Sequence, residues 1–112
     1  MYSTINNVKK PKILDLGCGS GNQTIVLSEL SEGIKYAVDY YNQYLEKLKR
    51  KIDLMNIKNI ITLQGDMKNL EFEKEYLDIV WSEGAIYIMG VENGFKKYKK
   101  YLKKADIWLY LI

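Results

Sequence analysis

The sequence contains no histidine. That removes the side chain that most often acts as a general base near neutral pH, and the commonest metal ligand. It has a single cysteine, Cys18. An internal disulfide is excluded, a zinc site has too few ligands, and a reducing, cytoplasmic setting is expected. Arg50 is the only arginine among 17 basic residues. Groove readers and phosphate clamps lean on guanidinium forks. The net charge of +3 therefore reads as a solvated lysine surface and not as a nucleic-acid footprint. Its lysines, like the many isoleucines, asparagines and tyrosines, come from A/T-rich codons. No apolar run approaches the roughly 20 residues of a membrane helix, so no membrane partner is expected. The opening Met1-Tyr2-Ser3-Thr4-Ile5-Asn6-Asn7 lacks the apolar core of a secretory signal. No internal repeat or low-complexity linker divides the chain.

What remains is the composition of one packed domain. Of 112 residues, 47% are apolar, enough for a single core and too many for a disordered segment. Short β-branched runs alternate with longer helical patterns. Strands are predicted at Lys12–Leu16, Ile34–Val38, Ile60–Leu63, Leu77–Trp81 and Ile107–Ile112. Helices are predicted at Asn22–Leu30 and Tyr41–Met55, and a last one is marked by Phe95, Tyr98 and Leu102. In Tyr41–Met55, Leu45, Leu48, Ile52 and Met55 recur at helical spacing, with Lys47, Lys49, Arg50 and Lys51 mostly on the other face. Strand–helix–strand alternation implies parallel strands joined by right-handed crossovers. The fold class is thus α/β, a Rossmann-like, doubly wound, mostly parallel sheet of about five strands. In such sheets ligands bind at the carboxyl ends of the strands, so chemical residues should stand just after each one.

They do. Ile13-Leu14-Asp15-Leu16-Gly17-Cys18-Gly19-Ser20-Gly21 places three glycines at alternate positions between a strand and a helix. Glycine admits positive φ and close approach of a ligand to the backbone. The helix that follows offers free N–H groups and a positive dipole end, suited to a carboxylate or a phosphate. A dinucleotide fingerprint, G-x-G-x-x-G, would need its third glycine at position 22, which is Asn22. Aspartates close the next two strands, in Tyr36-Ala37-Val38-Asp39 and Gln64-Gly65-Asp66-Met67. A carboxylate after a strand can accept two hydroxyls at once, although Asp66 reads equally well as a turn residue. Cys18 lies between two glycines, but no histidine is present to activate it, so a small side chain filling the loop is the better reading.

The order D-x-G-x-G-x-G, then Asp39, then Gly65-Asp66-Met67, then Asp78-Ile79-Val80-Trp81-Ser82-Glu83-Gly84-Ala85-Ile86-Tyr87 resembles the class I S-adenosylmethionine-dependent methyltransferases. The likeness runs from about Ile13 to Lys104. It implies one partial methyltransferase domain over residues 1–112, with S-adenosyl-L-methionine as cofactor and a small-molecule acceptor. By the same resemblance, Gly17, Gly19 and Gly21 hold the methionine portion and Asp15 orients its ammonium group. Asp39 takes the ribose hydroxyls, Asp66 and Met67 take the adenine, and Ser82 joins the cofactor contacts. Glu83 and Tyr87 face the acceptor as candidate catalytic groups, and no general base is assigned.

The chain departs from that family at both ends. Only twelve residues precede Ile13, and the two strands that normally follow strand five are missing. A truncated cofactor-binding half is therefore expected, with an open apolar edge that favours self-association. A fragment that binds cofactor without turnover stays open as an alternative, as does a nicotinamide-binding half, which Asn22 disfavours. The final Ala105-Asp106-Ile107-Trp108-Leu109-Tyr110-Leu111-Ile112 lacks the Gly-Gly turn usual before strand five. Back-translated one nucleotide earlier, it permits Gly-Gly-Tyr-Leu-Ala-Ile-Ser-Asp. The expectation is a frameshift near Lys104, against which the existing apolar tail also reads as a strand.

Overall fold

Ile13, Leu14, Asp15 and Leu16 are all buried, as expected of a strand flanked on both sides and covered on both faces. They form β1, the central strand. The computed structural model describes residues 10–82, 90–103 and 109–111. After β1 (Ile13–Leu16) the chain passes through α1 (Asn22–Leu30), β2 (Lys35–Asp39), α2 (Asn42–Met55), β3 (Ile60–Gln64) and β4 (Ile79–Ser82). It ends in α3 (Val91–Lys99) and β5 (Leu109–Leu111). The sheet runs in the order β3-β2-β1-β4-β5, and every adjacent pair is parallel. The chain winds outward from β1 to β3, then returns to start again at β4. The doubly wound α/β reading holds, with the reversal of strand order beside β1.

Alternate strand residues face opposite layers, as the strand period of two demands. Ile13, Ile79 and Trp81 pack on Leu27 of α1, and Ala37 and Ile60 pack on Leu48 of α2. Leu14, Leu16, Val38 and Val80 face the other way, onto Tyr98, Tyr101 and Leu102. Full burial of each large side chain contributes about 1.5–3 kcal/mol. α2 ends where Asn56 turns into the left-handed region at φ 55. There the Ile57 N–H reaches the Ile52 carbonyl at 3.0 Å, closing the last turn.

Three details differ from the sequence reading. Leu77 lies before β4; it bridges Leu102 in parallel, because its N–H donates to the Tyr101 carbonyl and its own carbonyl accepts from Lys103. The inner face of α3 is Gly94 and Tyr98, which leaves Phe95 46% exposed; Tyr101 and Leu102 are buried in the turn beyond the helix end. Met55, expected on the inner face of α2, is 51% exposed, since the sheet it would cover ends at β3. Of the tail, Leu109–Leu111 pairs with Val80, Trp81 and Ser82, and positions 107, 108 and 112 lie outside the described residues.

The amino end of the sheet holds a buried cation. Lys35 is fully enclosed and donates to the Ser31 carbonyl, the Ser31 hydroxyl and the Gly33 carbonyl, each at 2.6 Å. Burial pushes its ammonium down to about 8. Gly33 is required beside it, since a Cβ there would stand 1.8 Å from the Pro11 carbonyl oxygen. Among the described residues no helix is long and apolar enough to cross a membrane.

Candidate functional site

Register sets the site. Leu16 is level with Val38 on one side and with Ser82 on the other, and Asp39 is level with Gln64. Gly17, Asp39, Gly65 and the end of β4 therefore meet along one carboxyl edge of the sheet.

The glycine loop turns from β1 into α1, held by the Cys18 N–H on the Val38 carbonyl at 2.9 Å and the Gly21 N–H on the Cys18 carbonyl at 3.1 Å. Its glycines have different tasks. Gly19 sits at φ 59 with open space where a Cβ would be, so ligand can approach its backbone. Gly21 caps α1 at φ 87, and a Cβ there would fall 2.3 Å from a Leu48 methyl. It is the point at which α1 and α2 close on each other. Lys51 ties the loop to α2, donating to the Ser20 carbonyl at 3.1 Å and to Asn22 Oδ1 at 2.9 Å.

Asp15, within β1, and Asp39, at the end of β2, are buried, yet each is bonded. Asp15 Oδ2 accepts from the Thr24 hydroxyl at 2.6 Å, locking β1 to α1 beneath the loop. Asp39 Oδ2 accepts from the Gly19 N–H at 2.9 Å, and its Oδ1 accepts from the Tyr41 N–H at 2.9 Å. One carboxylate thus joins the glycine loop to the start of α2. Each carboxylate oxygen has two lone-pair directions, so Asp39 keeps acceptor capacity toward the space beside it.

After β3, the Gly65 N–H donates to the Asp39 carbonyl at 3.1 Å. Asp66 makes a side-chain turn: its Oδ1 accepts from the Lys68 N–H at 2.9 Å. Its carbonyl accepts from the Asn69 N–H at 2.9 Å, so the turn reading of Asp66 holds alongside any binding role. Met67 is buried, and its carbonyl accepts from the Tyr98 hydroxyl.

These segments enclose a cavity of about 560 Å³, within the usual range for small-ligand sites. Of the residues singled out by sequence, Gly17, Gly19, Asp39, Asp66 and Met67 line it. Asp15, Gly21 and Ser82 stand outside the lining; Ser82 is buried at the end of β4. Glu83 and Tyr87 lie outside the described residues. Sequence reasoning missed the aromatic wall of Tyr40, Tyr41 and Tyr44, all on the cavity. Their rings meet edge to face at 5.3 and 6.1 Å between centroids. The signal was available: a helix beginning one residue after Tyr41 sets Tyr41 and Tyr44 one turn apart on the face beside Asp39.

The site is acidic and aromatic. Burial, then Asp15, then Asp39, push the Cys18 thiol upward, which keeps it a protonated, unreactive filler of the loop. Among the described residues no group of three His, Cys, Asp or Glu side chains could hold a metal ion.

The methyltransferase domain family matches residues 13–105, most of the chain. The chain belongs to the methyltransferase domain family. The chemistry of the cavity fits S-adenosyl-L-methionine: a buried carboxylate with spare acceptor capacity, open backbone at Gly19 and an aromatic wall. The chain is 38% identical over 82 residues to a demethylmenaquinone methyltransferase of Staphylococcus epidermidis, a match covering 71% of this chain and 33% of that protein. It is 33% identical over 66 residues to a protein-L-isoaspartate O-methyltransferase of Dictyoglomus thermophilum, covering 59% and 30%. Among solved structures, a SAM-dependent methyltransferase from Aquifex aeolicus superposes with a TM-score of 0.75 at 17% identity, over 91% of this chain and 58% of that one. The methyltransferase domain spans about a third of the length of the curated relatives named here.

Proposed function

We propose that this domain binds S-adenosyl-L-methionine in the 560 Å³ cavity and passes its methyl group to a small-molecule acceptor. The observation that carries the reading is Asp39, a buried carboxylate bonded to the open backbone of Gly19. In that arrangement Asp39 accepts from the ribose hydroxyls. Asp66 and the Met67 backbone take the adenine, against the wall of Tyr40, Tyr41 and Tyr44. Gly17 and Gly19 give backbone room to the methionine portion, with Gly21, Asp15 and Ser82 supporting that end. The bound sulfonium supplies the electrophile; the chain has only to hold it, orient the acceptor and exclude water. Glu83 and Tyr87 are the candidates for the acceptor side. The small-molecule class is supported by the near absence of arginine and by the likeness to a quinone-modifying enzyme. The single cysteine suits a cytoplasmic setting.

Calorimetric titration with S-adenosylhomocysteine and with NAD tests the reading. Binding of the first and none of the second is expected. Binding of NAD, or of neither, would overturn it. Binding of S-adenosylhomocysteine without methyl transfer to any small acceptor reduces the chain to a cofactor-binding fragment.

A further inference from the structure

We infer that Tyr98, on the helix layer opposite α1 and α2, is a positioning residue for the adenine end of the cavity. The inference rests on the cofactor reading above. Tyr98 is fully buried, and a buried phenol must spend its O–H on an acceptor. Any carbonyl in that layer would satisfy it. The one it uses belongs to Met67, at the turn that lines the cavity. The hydroxyl is thus a strut that reaches this turn from the far layer.

The ring itself is held in place. It meets Tyr101 at 5.9 Å, Tyr101 meets Phe72 at 6.1 Å and Phe72 meets Tyr36 at 5.7 Å, all edge to face. A tyrosine ring has two side-chain torsions, and packing on several sides leaves neither free. Its hydroxyl is thereby a fixed point. The Asp66 side-chain turn fixes the same segment from the solvent side. Between them the Asp66–Met67 backbone is set before ligand arrives, and preorganisation of this kind appears as affinity.

The test compares Tyr98→Phe with Tyr101→Phe, its neighbour in the same core, using titration with S-adenosylhomocysteine. Tyr98→Phe removes one oxygen. It is expected to weaken binding roughly five- to ten-fold, the effect of a single hydrogen bond, while Tyr101→Phe stays within about two-fold of the parent. Combined with Asp66→Ala, the loss is expected to be less than the product of the two single losses, because both changes release one segment. Unchanged affinity in Tyr98→Phe, or equal losses in both phenylalanine variants, would overturn the inference while leaving the cofactor reading intact. A parent chain that binds no S-adenosylhomocysteine removes both. Should Tyr98→Phe fail to fold, hydrogen exchange in the parent decides: the amides of 66–69 should already be protected without ligand. Protection gained only on binding would refute a preset turn.

Discussion

Replacing Asp39 by asparagine should cost the protein twice, and the two costs can be read separately. The carboxylate accepts one backbone N–H on each oxygen, Gly19 on Oδ2 and Tyr41 on Oδ1, both at 2.9 Å. An amide of the same shape can satisfy only one; its NH₂ group would point a donor at the other N–H. Losing a bond to a charged acceptor in a site only 8% exposed costs about 1.5–3 kcal/mol. For a domain of this size that lowers the melting temperature by roughly 6–12 °C. The ligand cost is distinct. With one acceptor removed from the ribose hydroxyls, affinity for S-adenosylhomocysteine should fall by about 1–3 kcal/mol, roughly 5- to 150-fold. Circular-dichroism melts give the first quantity and calorimetric titration the second. A variant that melts with the parent refutes the strut between loop and helix. A variant that melts early but binds normally removes Asp39 from the ligand site while keeping the strut.

Three further outcomes are expected. Gly21→Ala should lower stability by about 1–3 kcal/mol, through left-handed strain and overlap with Leu48. Gly19→Ala, with open space around it, should cost only about 1–2 kcal/mol of strain but a larger share of ligand affinity; the reverse pattern would contradict the separate tasks given to the two glycines. For Lys35, whose ammonium is pushed down to about 8 by burial, the unfolded chain holds one more proton between pH 8 and about 10.4. Stability from this group therefore rises with pH across that window. Cys18, shifted upward, acts oppositely, its stability contribution being full below about 8.5 and lost above it. Lys35→Met should therefore lose stability more steeply than the parent from pH 8.5 to 9.5, and parallel denaturation profiles would sink the assignment. Finally, β3 and β5 are the outer strands, and Ile61 on β3 is 42% exposed; sedimentation should show self-association, and a clean monomer at high concentration would argue against it.

The first three strands were legible because each short apolar run stops at glycine or aspartate. Asp39 and Asp66 close β2 and the turn after β3, and the glycines after Leu16 mark the loop. Helix α1 was read to its boundaries, since Gly21 and the polar Ser31 bracket the pattern. The inner stripe of α3 was harder. Phe95 is the more hydrophobic choice, but Gly94 takes the inner position because a small residue lets the helix approach the sheet. Periodicity alone could not decide between adjacent residues. Tyr36 presented the same difficulty in a strand: its place in an aromatic chain with Phe72 and Tyr76 depends on a loop that carries no periodic signal. The aromatic wall at Tyr40, Tyr41 and Tyr44 went unnoticed because a tyrosine-rich composition hides three that matter among ten. The double duty of Asp39 was also invisible, because Gly19 reaches its carboxylate only once β1 and β2 are side by side.

The cavity lining falls within one uninterrupted stretch, from Gly17 to Lys68, whereas the hydroxyl that steadies it comes from Tyr98, 31 positions after Met67. On the ribosome these parts are made in that order. At roughly 5–20 residues per second, the last wall of the pocket emerges about 2–6 s before its brace, and the others earlier still. The nascent chain thus passes through an interval in which the adenine turn exists without its anchor. Cofactor present during that interval meets a looser site, and retention tightens only when the last helix docks.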